Sequence, residues 1–565
     1  MQKKGESMNL SATPKRFYLF ALGLSLAATL SVVSAADFKN VVVLIPDGCG
    51  VAHTTVTRWY KGAPLNTDRM TVGMMRNYNS NSILTDSAPA ASAFATGIKT
   101  ADRFISALPN STSIPGVTPV AAELYYKPVP TLLEAARLEG KSVGLVSISM
   151  VQHATPAAYS AHIYTRSDYQ AIAVQQVYQN MDVVFGGGRE NLLPPKEGGI
   201  RKDGANYLDV LKALGYQVIS RRTEMMSVKE SRVWGLFAMN EMAHDFDREL
   251  IRPDEPSLAE MTEKALDLLS PNPGGFFLMV EGSKIDDAAH ANDPVGVVSD
   301  YLAFDKAVGT VLDYAQKDGQ TLVVVVSDHD TGGMSIGSTR ATSTSMAVGA
   351  LVNPLKKAIL TGEGLGAVMT GTRTPGYVKE LVGKYYGITD LSDAEVASIT
   401  KASATSMNSV VGPMMSTRSV IGWTTGSHTG MDLPFYIYGM DQPFKTMENT
   451  DIALICARAM GIRLTEFDAR LYSAADQLFG NRGANVYLDK KDAANPVLTV
   501  TLGRKTAFLP IHKNRMRVQL HLDNGQVIAN EIQLEGLVIQ ALPTDRVYVP
   551  QQALTLLARA GAWFN

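Results

Sequence analysis

The sequence predicts an α/β protein: a doubly wound sheet flanked by helices, with an inserted cap region and a small β-rich domain at its carboxyl end. Three observations carry that prediction. Short aliphatic runs at Asn40–Ile45, Val143–Ser147, Asp182–Phe185, Phe276–Val280 and Thr321–Val326 alternate with longer helical stretches, as in strands joined by crossover helices. Several runs stop abruptly at acidic residues, and the carboxyl ends of such strands are where open α/β sheets bind ligands. Beyond about residue 484 the pattern becomes strict alternation. Met516, Val518, Leu520 and Leu522 are interleaved with Arg517, Gln519 and His521, and Asp523-Asn524-Gly525 then turns the chain into Gln526-Val527-Ile528, a hairpin pattern. At 565 residues and 45% apolar content, the chain can bury a large core and exceeds one typical domain.

The amino terminus reads as a signal peptide over residues 1–35. Lys15-Arg16 precede a mainly apolar stretch from Phe17 to Val33, and Ser34-Ala35-Ala36 supply small residues for cleavage after Ala35 or Ala36. The stretch is shorter than the roughly 20 apolar residues a membrane span needs, and no cysteine is near enough to accept a lipid. A free periplasmic or secreted product is expected, with no membrane span after leader removal. Met8 is an alternative start. Losing a leader of charge +3 takes the formal net charge from −2 to −5, which gives no footprint for nucleic-acid binding. Cys49 and Cys456 are the only cysteines, and two free thiols are favoured over one disulfide.

The first strand runs into Pro46-Asp47-Gly48-Cys49-Gly50, whose glycines suit a tight strand-to-helix turn. Asp47 is then a turn residue or a strand-end ligand. In Leu84–Gly97 the alanines propagate a helix, Asp86 or Ser87 can cap it, Pro89 fits its first turn and Gly97 can close it. Ser87 thus stands at a helix amino terminus, as a plain cap or as a nucleophile where free N–H groups favour an anion. The strand at Phe276–Val280 leads into Glu281 and, if the chain turns helical near Ile285, Asp286 and His290 lie at i and i+4 on one face. That spacing serves an exposed pair or a shared ion. The four valines before Ser327 form a strand buried on both faces, ending in Asp328-His329, a pair suited to Zn²⁺ or to helix capping. Between His329 and His428 lies a long region rich in Gly, Ser, Thr and Met, amphipathic near Tyr377–Tyr386. Residues 331–427 are read as a cap, a dimer contact or a surface excursion. His512 and His521 read as ordinary solvated residues.

Asp47 in its Asp-Gly-Cys-Gly turn, Thr85-Asp86-Ser87-Ala88, Glu281 to His290, Asp328-His329 and Ser427-His428-Thr429-Gly430 occur in an order and setting that resembles the alkaline phosphatase family, over roughly residues 38–480. The resemblance implies a catalytic domain over 36–484; outside it, the alternating pattern makes 485–565 a small β-rich appendage. It implies two Zn²⁺ and one Mg²⁺: Asp286, His290 and His428 on the first zinc, and Asp328, His329 and Asp47 on the second. Asp47 would be shared with magnesium, joined there by Thr155 and Glu281, with His153 close by. Arg166 matches the phosphate-binding arginine. Without the resemblance Thr155 reads as a turn residue and Arg166 as a solvated charge.

The implied activity is hydrolysis of small phosphate monoesters through a phosphoserine at Ser87, in a likewise implied homodimer. Such chemistry needs positive charge around the equatorial oxygens and both apical positions of phosphorus. Two alternatives stand beside it, a phosphodiesterase of the same superfamily and a noncatalytic metal-binding surface protein. Ser87 and Arg166 together favour monoesters, and Ala91 stands where a sulfatase maturation motif has arginine. Two positions depart from the common pattern. His153 stands where some members have Asp, and Asp287 stands where Lys, His or Trp is common, placing an anion where it weakens phosphate attraction.

Overall fold

The computed structural model describes residues 38–339, 341, 343–440 and 445–560, so the signal peptide assigned to 1–35 lies outside the described residues. Ten strands form one large sheet: β1 (Asn40–Pro46), β2 (Thr71–Arg76), β3 (Ser142–Met150), β4 (Val183–Gly187), β5 (Gln217–Ile219), β6 (Val233–Leu236), β7 (Phe276–Gly282), β8 (Thr321–Val326), β9 (Leu433–Tyr438) and β10 (Thr446–Glu448). Their order is β10-β2-β9-β8-β1-β7-β3-β4-β6-β5. All are parallel except β9, which runs against both β2 and β8.

Central strands buried on both faces serve two cores with the period of two that a strand imposes. Val42, Leu44, Leu278, Val280, Val323 and Val325 enter one core. Their neighbours Val41, Val43, Ile45, Phe277, Met279 and Val324 enter the other. The register aligns Ile45 with Glu281 and Leu44 with Val325. That alignment sets the carboxyl ends of β8, β1 and β7 side by side, so Asp328, Asp47 and Glu281 leave the sheet at one place.

The predicted helix at Ser87 runs to Thr96 and is closed by Gly97 in the left-handed region, φ 75°. Region 331–427 carries the helices Val348–Leu355, Gly362–Val368, Pro375–Leu381, Asp393–Lys401 and Met407–Arg418. It is anchored to the body. Leu351, Leu365 and Val411 share the core of Val42, and Tyr386 Oη donates to Asp293 Oδ1 at 2.6 Å.

Near the carboxyl end, strands Asn485–Asp489, Val497–Leu502, Lys505–Pro510, Arg515–His521 and Val527–Gln533 form an antiparallel sheet in sequence order. The predicted hairpin is present, with His521 opposite Val527 and Gly525 at φ 81°. Leu522 belongs to its turn. Helix Gln552–Arg559 buries Ala553 and Leu557 in the core of this sheet. His512 is half-buried rather than freely solvated as the sequence suggested. Its Nδ1 accepts from Gln175 Nε2 at 3.1 Å, and burial pulls its pKa down to about 4. Cys49 and Cys456 are both buried and free. Among the described residues no helix is long and apolar enough to cross a membrane.

Candidate active site

The turn after β1, the helix Lys284–His290 after β7, the segment after β8 and the strand residues His428–Thr429 deliver acids and histidines to one place. Gly48, at φ 70°, makes the first of these possible, because a Cβ there would meet the Asp286 carboxylate. Three groups result in which one ligand atom per residue lies within 4.8 Å of the others: Asp286 with His290 and His428, Asp47 with Asp286 and His329, and Asp47 with His153 and Glu281.

In the first group the hydrogen bonds fix the imidazole tautomers. His290 Nδ1 lies 2.9 Å from the Gly426 carbonyl and His428 Nδ1 lies 2.8 Å from the Thr85 carbonyl. A carbonyl only accepts, so both Nδ1 atoms carry hydrogen and both Nε2 atoms face inward; against burial, Asp286 raises the His290 pKa to about 9, favouring a proton that a bound cation would displace. Those two Nε2 atoms are 3.3 Å apart, and Asp286 Oδ2 is 3.3 Å from that of His290. Three electron-rich atoms converging in this way fit a divalent cation, and an Asp-His-His set is a zinc donor set.

The second group is more deeply buried, and it takes in Asp286 where the resemblance implied Asp328, which stands beside it against His329. His329 Nε2 stands 3.3 Å from Asp328 Oδ2 and 3.5 Å from Asp47 Oδ1. Both carboxylate atoms are buried without a hydrogen-bond partner among the described residues. Burial, then Asp328, Asp286 and Glu281, raise the Asp47 carboxyl well above its ordinary range. Burial and then Asp286 push Asp328 up to about 6, and burial and then His428 pull His329 down to about 3. This is the mutual repulsion that a bound cation relieves. Toward the third group, Thr155 Oγ1 donates to Asp47 Oδ2 at 3.4 Å. Ser147 and Ser149 donate to Glu281 Oε2 at 2.5 and 3.2 Å, leaving buried Glu281 Oε1 without a partner. The donor sets thus fit metal ions, with hard oxygens gathered at this third position.

Ser87, the first residue of its helix, is buried, and its Oγ lies 3.1 Å from His329 Nε2. Arg166 is largely buried as well. Its guanidinium pairs with Asp86 through Nη1 and donates to His153 Nε2 at 2.7 Å through Nη2.

A family model for alkaline phosphatase matches residues 38–462. The chain belongs to the alkaline phosphatase family. It is a phosphoric monoester hydrolase. Alkaline phosphatase 3 of Bacillus subtilis is 35% identical over 450 residues, covering 74% of this chain and 88% of the relative. The repressible alkaline phosphatase of Saccharomyces cerevisiae is 32% identical over 446 residues, covering 71% and 76%. Among solved structures, Thermus thermophilus alkaline phosphatase superposes with a TM-score of 0.67 at 26% identity over 79% of this chain and 96% of that one.

Within this alkaline phosphatase fold, several contacts were not legible in sequence. Asp86 occupies the N-cap position without capping through its side chain, and its carboxylate holds Arg166 instead. The motif shows Asp86 beside Ser87, yet its partner is 80 residues away. Thr155 lies within helix Ala154–Ser160 and is fully buried, so the turn reading made without the resemblance does not hold. Asp287 is not a free anion. Its carboxylate sits 3.2 Å from Lys284 Nζ, which also meets Glu363 at 3.0 Å and Glu241 at 3.4 Å.

Proposed function

We propose that this chain cleaves phosphate monoesters through a covalent phosphoserine at Ser87, with two Zn²⁺ and one Mg²⁺ as resident ions. Asp286, His290 and His428 would hold one zinc; Asp47, Asp328 and His329 the other; and Asp47, Thr155 and Glu281 the magnesium, with His153 beside it. Bound there, the ions would supply Lewis-acid stabilisation of oxyanions and lower the pKa of coordinated oxygen.

The protein's own groups do the rest. The amino terminus of helix Ser87–Thr96 presents unpaired N–H groups and a positive dipole end to the ester dianion. The Arg166 fork holds two nonbridging oxygens, with Asp86 and His153 fixing its plane. Ser87 Oγ attacks phosphorus in line, forming the seryl ester as the P–O bond to the leaving group breaks and the departing oxygen takes up a proton. Water then attacks from the vacated side. The seryl P–O bond breaks, inorganic phosphate leaves and Ser87 regains its proton.

The observation that carries this reading is the convergence of the His290 and His428 Nε2 atoms with Asp286, beside a buried serine. The test compares p-nitrophenyl phosphate with bis-p-nitrophenyl phosphate on the zinc-loaded mature protein, with Ser87→Ala as control. Fast monoester turnover that collapses in Ser87→Ala is expected; a preference for the diester would remove the role given to Arg166.

We extend the proposal to a periplasmic or secreted homodimer, with residues 36–484 catalytic, 331–427 a cap and 485–565 an appendage. The leader-like residues 15–36 support export. The helical region 331–427, reaching Lys284 through Glu363, supports the cap. The core that the five-stranded antiparallel sheet shares with helix Gln552–Arg559, joined from the catalytic side by Ala475 and Phe479, supports the appendage.

A further inference from the structure

At the opposite end of the large sheet from the catalytic residues lies an open cavity of about 510 Å³, lined by four cations and one carboxylate. Arg137 comes from the last turn of helix Leu132–Leu138, Lys141 precedes β3 and Arg232 precedes β6. Arg515 opens a strand of the carboxyl-terminal sheet. The carboxylate is Asp182, just before β4.

None of the four cations has an acidic side chain within ion-pair distance among the described residues. Arg137 meets only the Glu535 backbone carbonyl, and its Nε is buried without a partner. Lys141 Nζ donates to the carbonyls of Lys39 and Gly274 at 2.8 Å each. Arg232 donates to the Leu214 carbonyl at 2.6 Å and stacks 4.5 Å over Tyr216. Asp182 accepts from the Val143 amide at 2.8 Å. Burial pulls Arg137 and Lys141 below their ordinary values, only partly offset by the fields of Glu134 and Glu535 on the first and Glu139 on the second, none of which reaches ion-pair distance. A formal charge of +3 is therefore concentrated at one cavity of a chain whose overall charge is −2.

We propose that this cavity is a second, noncatalytic anion site that takes a small multivalent oxyanion of the condensed-phosphate class. Guanidinium forks match phosphate oxygens pairwise, and unpaired, partly desolvated cations gain most from such contacts. The volume lies in the range of small-molecule pockets and leaves room for a short chain of phosphates. The cations converge on one concavity from separate segments, rather than forming the stripe along one face that a long polymer needs. An occupant would bridge Arg137 and Arg232 of the catalytic body to Arg515 of the carboxyl-terminal sheet.

The probe is 8-methoxypyrene-1,3,6-trisulfonate, a fluorescent trianion carrying no phosphoester, titrated into the metal-loaded enzyme by anisotropy. Binding is expected, weakened about tenfold by Arg515→Glu, as for loss of one charge-assisted pair, and abolished by Arg232→Gln with Arg515→Gln. It is unchanged in Arg166→Ala, which reports on the catalytic site. Arg515 makes no ion pair to lose, so Arg515→Glu remains informative should the double variant fold poorly, and its p-nitrophenyl phosphate turnover should stay at the parental level. Tripolyphosphate should displace the probe at lower concentration than orthophosphate. Absent binding, binding indifferent to both cavity variants, binding lost in Arg166→Ala, or equal displacement by the two phosphates would each overturn the proposal.

Discussion

His244 offers a pH test whose sign and size follow from its surroundings. Its ring is fully buried, with Nδ1 2.5 Å from Asp300 Oδ2 and Nε2 3.5 Å from Glu363 Oε2 of region 331–427. Burial opposes the charged ring and nearby Lys284 opposes it further, yet Asp300 and Glu363 outweigh both and raise its pKa from 6.5 to about 9. Asp247, whose amide donates to the His244 carbonyl at 3.0 Å, adds a further carboxylate nearby. A pKa higher in the folded than in the unfolded chain stabilises the fold fully below the unfolded value, and that contribution fades as pH rises through the folded value. About 2.5 pH units at 1.36 kcal/mol each give about 3 kcal/mol, present at pH 6 and gone above about pH 9. The perturbation is His244→Gln, which keeps a polar side chain that cannot ionise. Urea midpoints of both proteins should be measured from pH 6 to pH 9.5 with metals saturating. The gap between them should be widest at pH 6 and narrow steadily through pH 9. A gap that is constant with pH, or widest at pH 9.5, would refute the assignment of a charged His244.

Asp86→Asn leaves Arg166 without its carboxylate partner, and kcat/KM for p-nitrophenyl phosphate should fall by about tenfold, the worth of one charge-assisted bond; an unchanged value would mean Asp86 does not orient the guanidinium. Gly48→Ala combines a disfavoured φ with a collision against the Asp286 carboxylate, so zinc affinity measured by competitive chelation should weaken by about 10- to 100-fold. Stripping metals with a chelator should lower the thermal midpoint, by a stabilisation of about 4 kcal/mol at ligand 1,000-fold over Kd, and zinc should restore it; a midpoint blind to the ions would count against a metal site at these carboxylates. Leu557→Ala, in the helix that covers the carboxyl-terminal sheet, should cost about 2–5 kcal/mol in urea unfolding.

The sheet was legible because its strands obey simple rules. Four valines in a row before Ser327 admit little but a strand covered on both faces, and Asn524-Gly525 marks a turn by its backbone preference alone. β9 was missed, since Leu433–Tyr438 follows a long insertion and its reversed direction depends on tertiary pairing rather than on composition. At the site, Asp286 and His290 were readable from helical spacing and Asp328-His329 from its place at a strand end. The companions that orient them were not. Asp86 with Arg166, Glu363 with Lys284, and Ser147 with Glu281 join residues 79 to 134 positions apart, and short-range pattern carries no information about such pairs. His512 shows the reverse error, a histidine in a polar-looking segment that the fold half buries and pairs with Gln175.

The candidate metal-binding groups are gathered from Asp47 near the start of the described chain to His428 beyond the inserted helices, and they come together where β8, β1 and β7 lie in register. A chain emerging amino-end first therefore exposes only scattered, weakly chelating side chains until nearly all of the catalytic region has been made. With ions held as proposed, their tight capture would act as an inspection step at the end of assembly. Only molecules that had closed the whole sheet would then retain metal, and misassembled copies would stay inert without a separate device to recognise them.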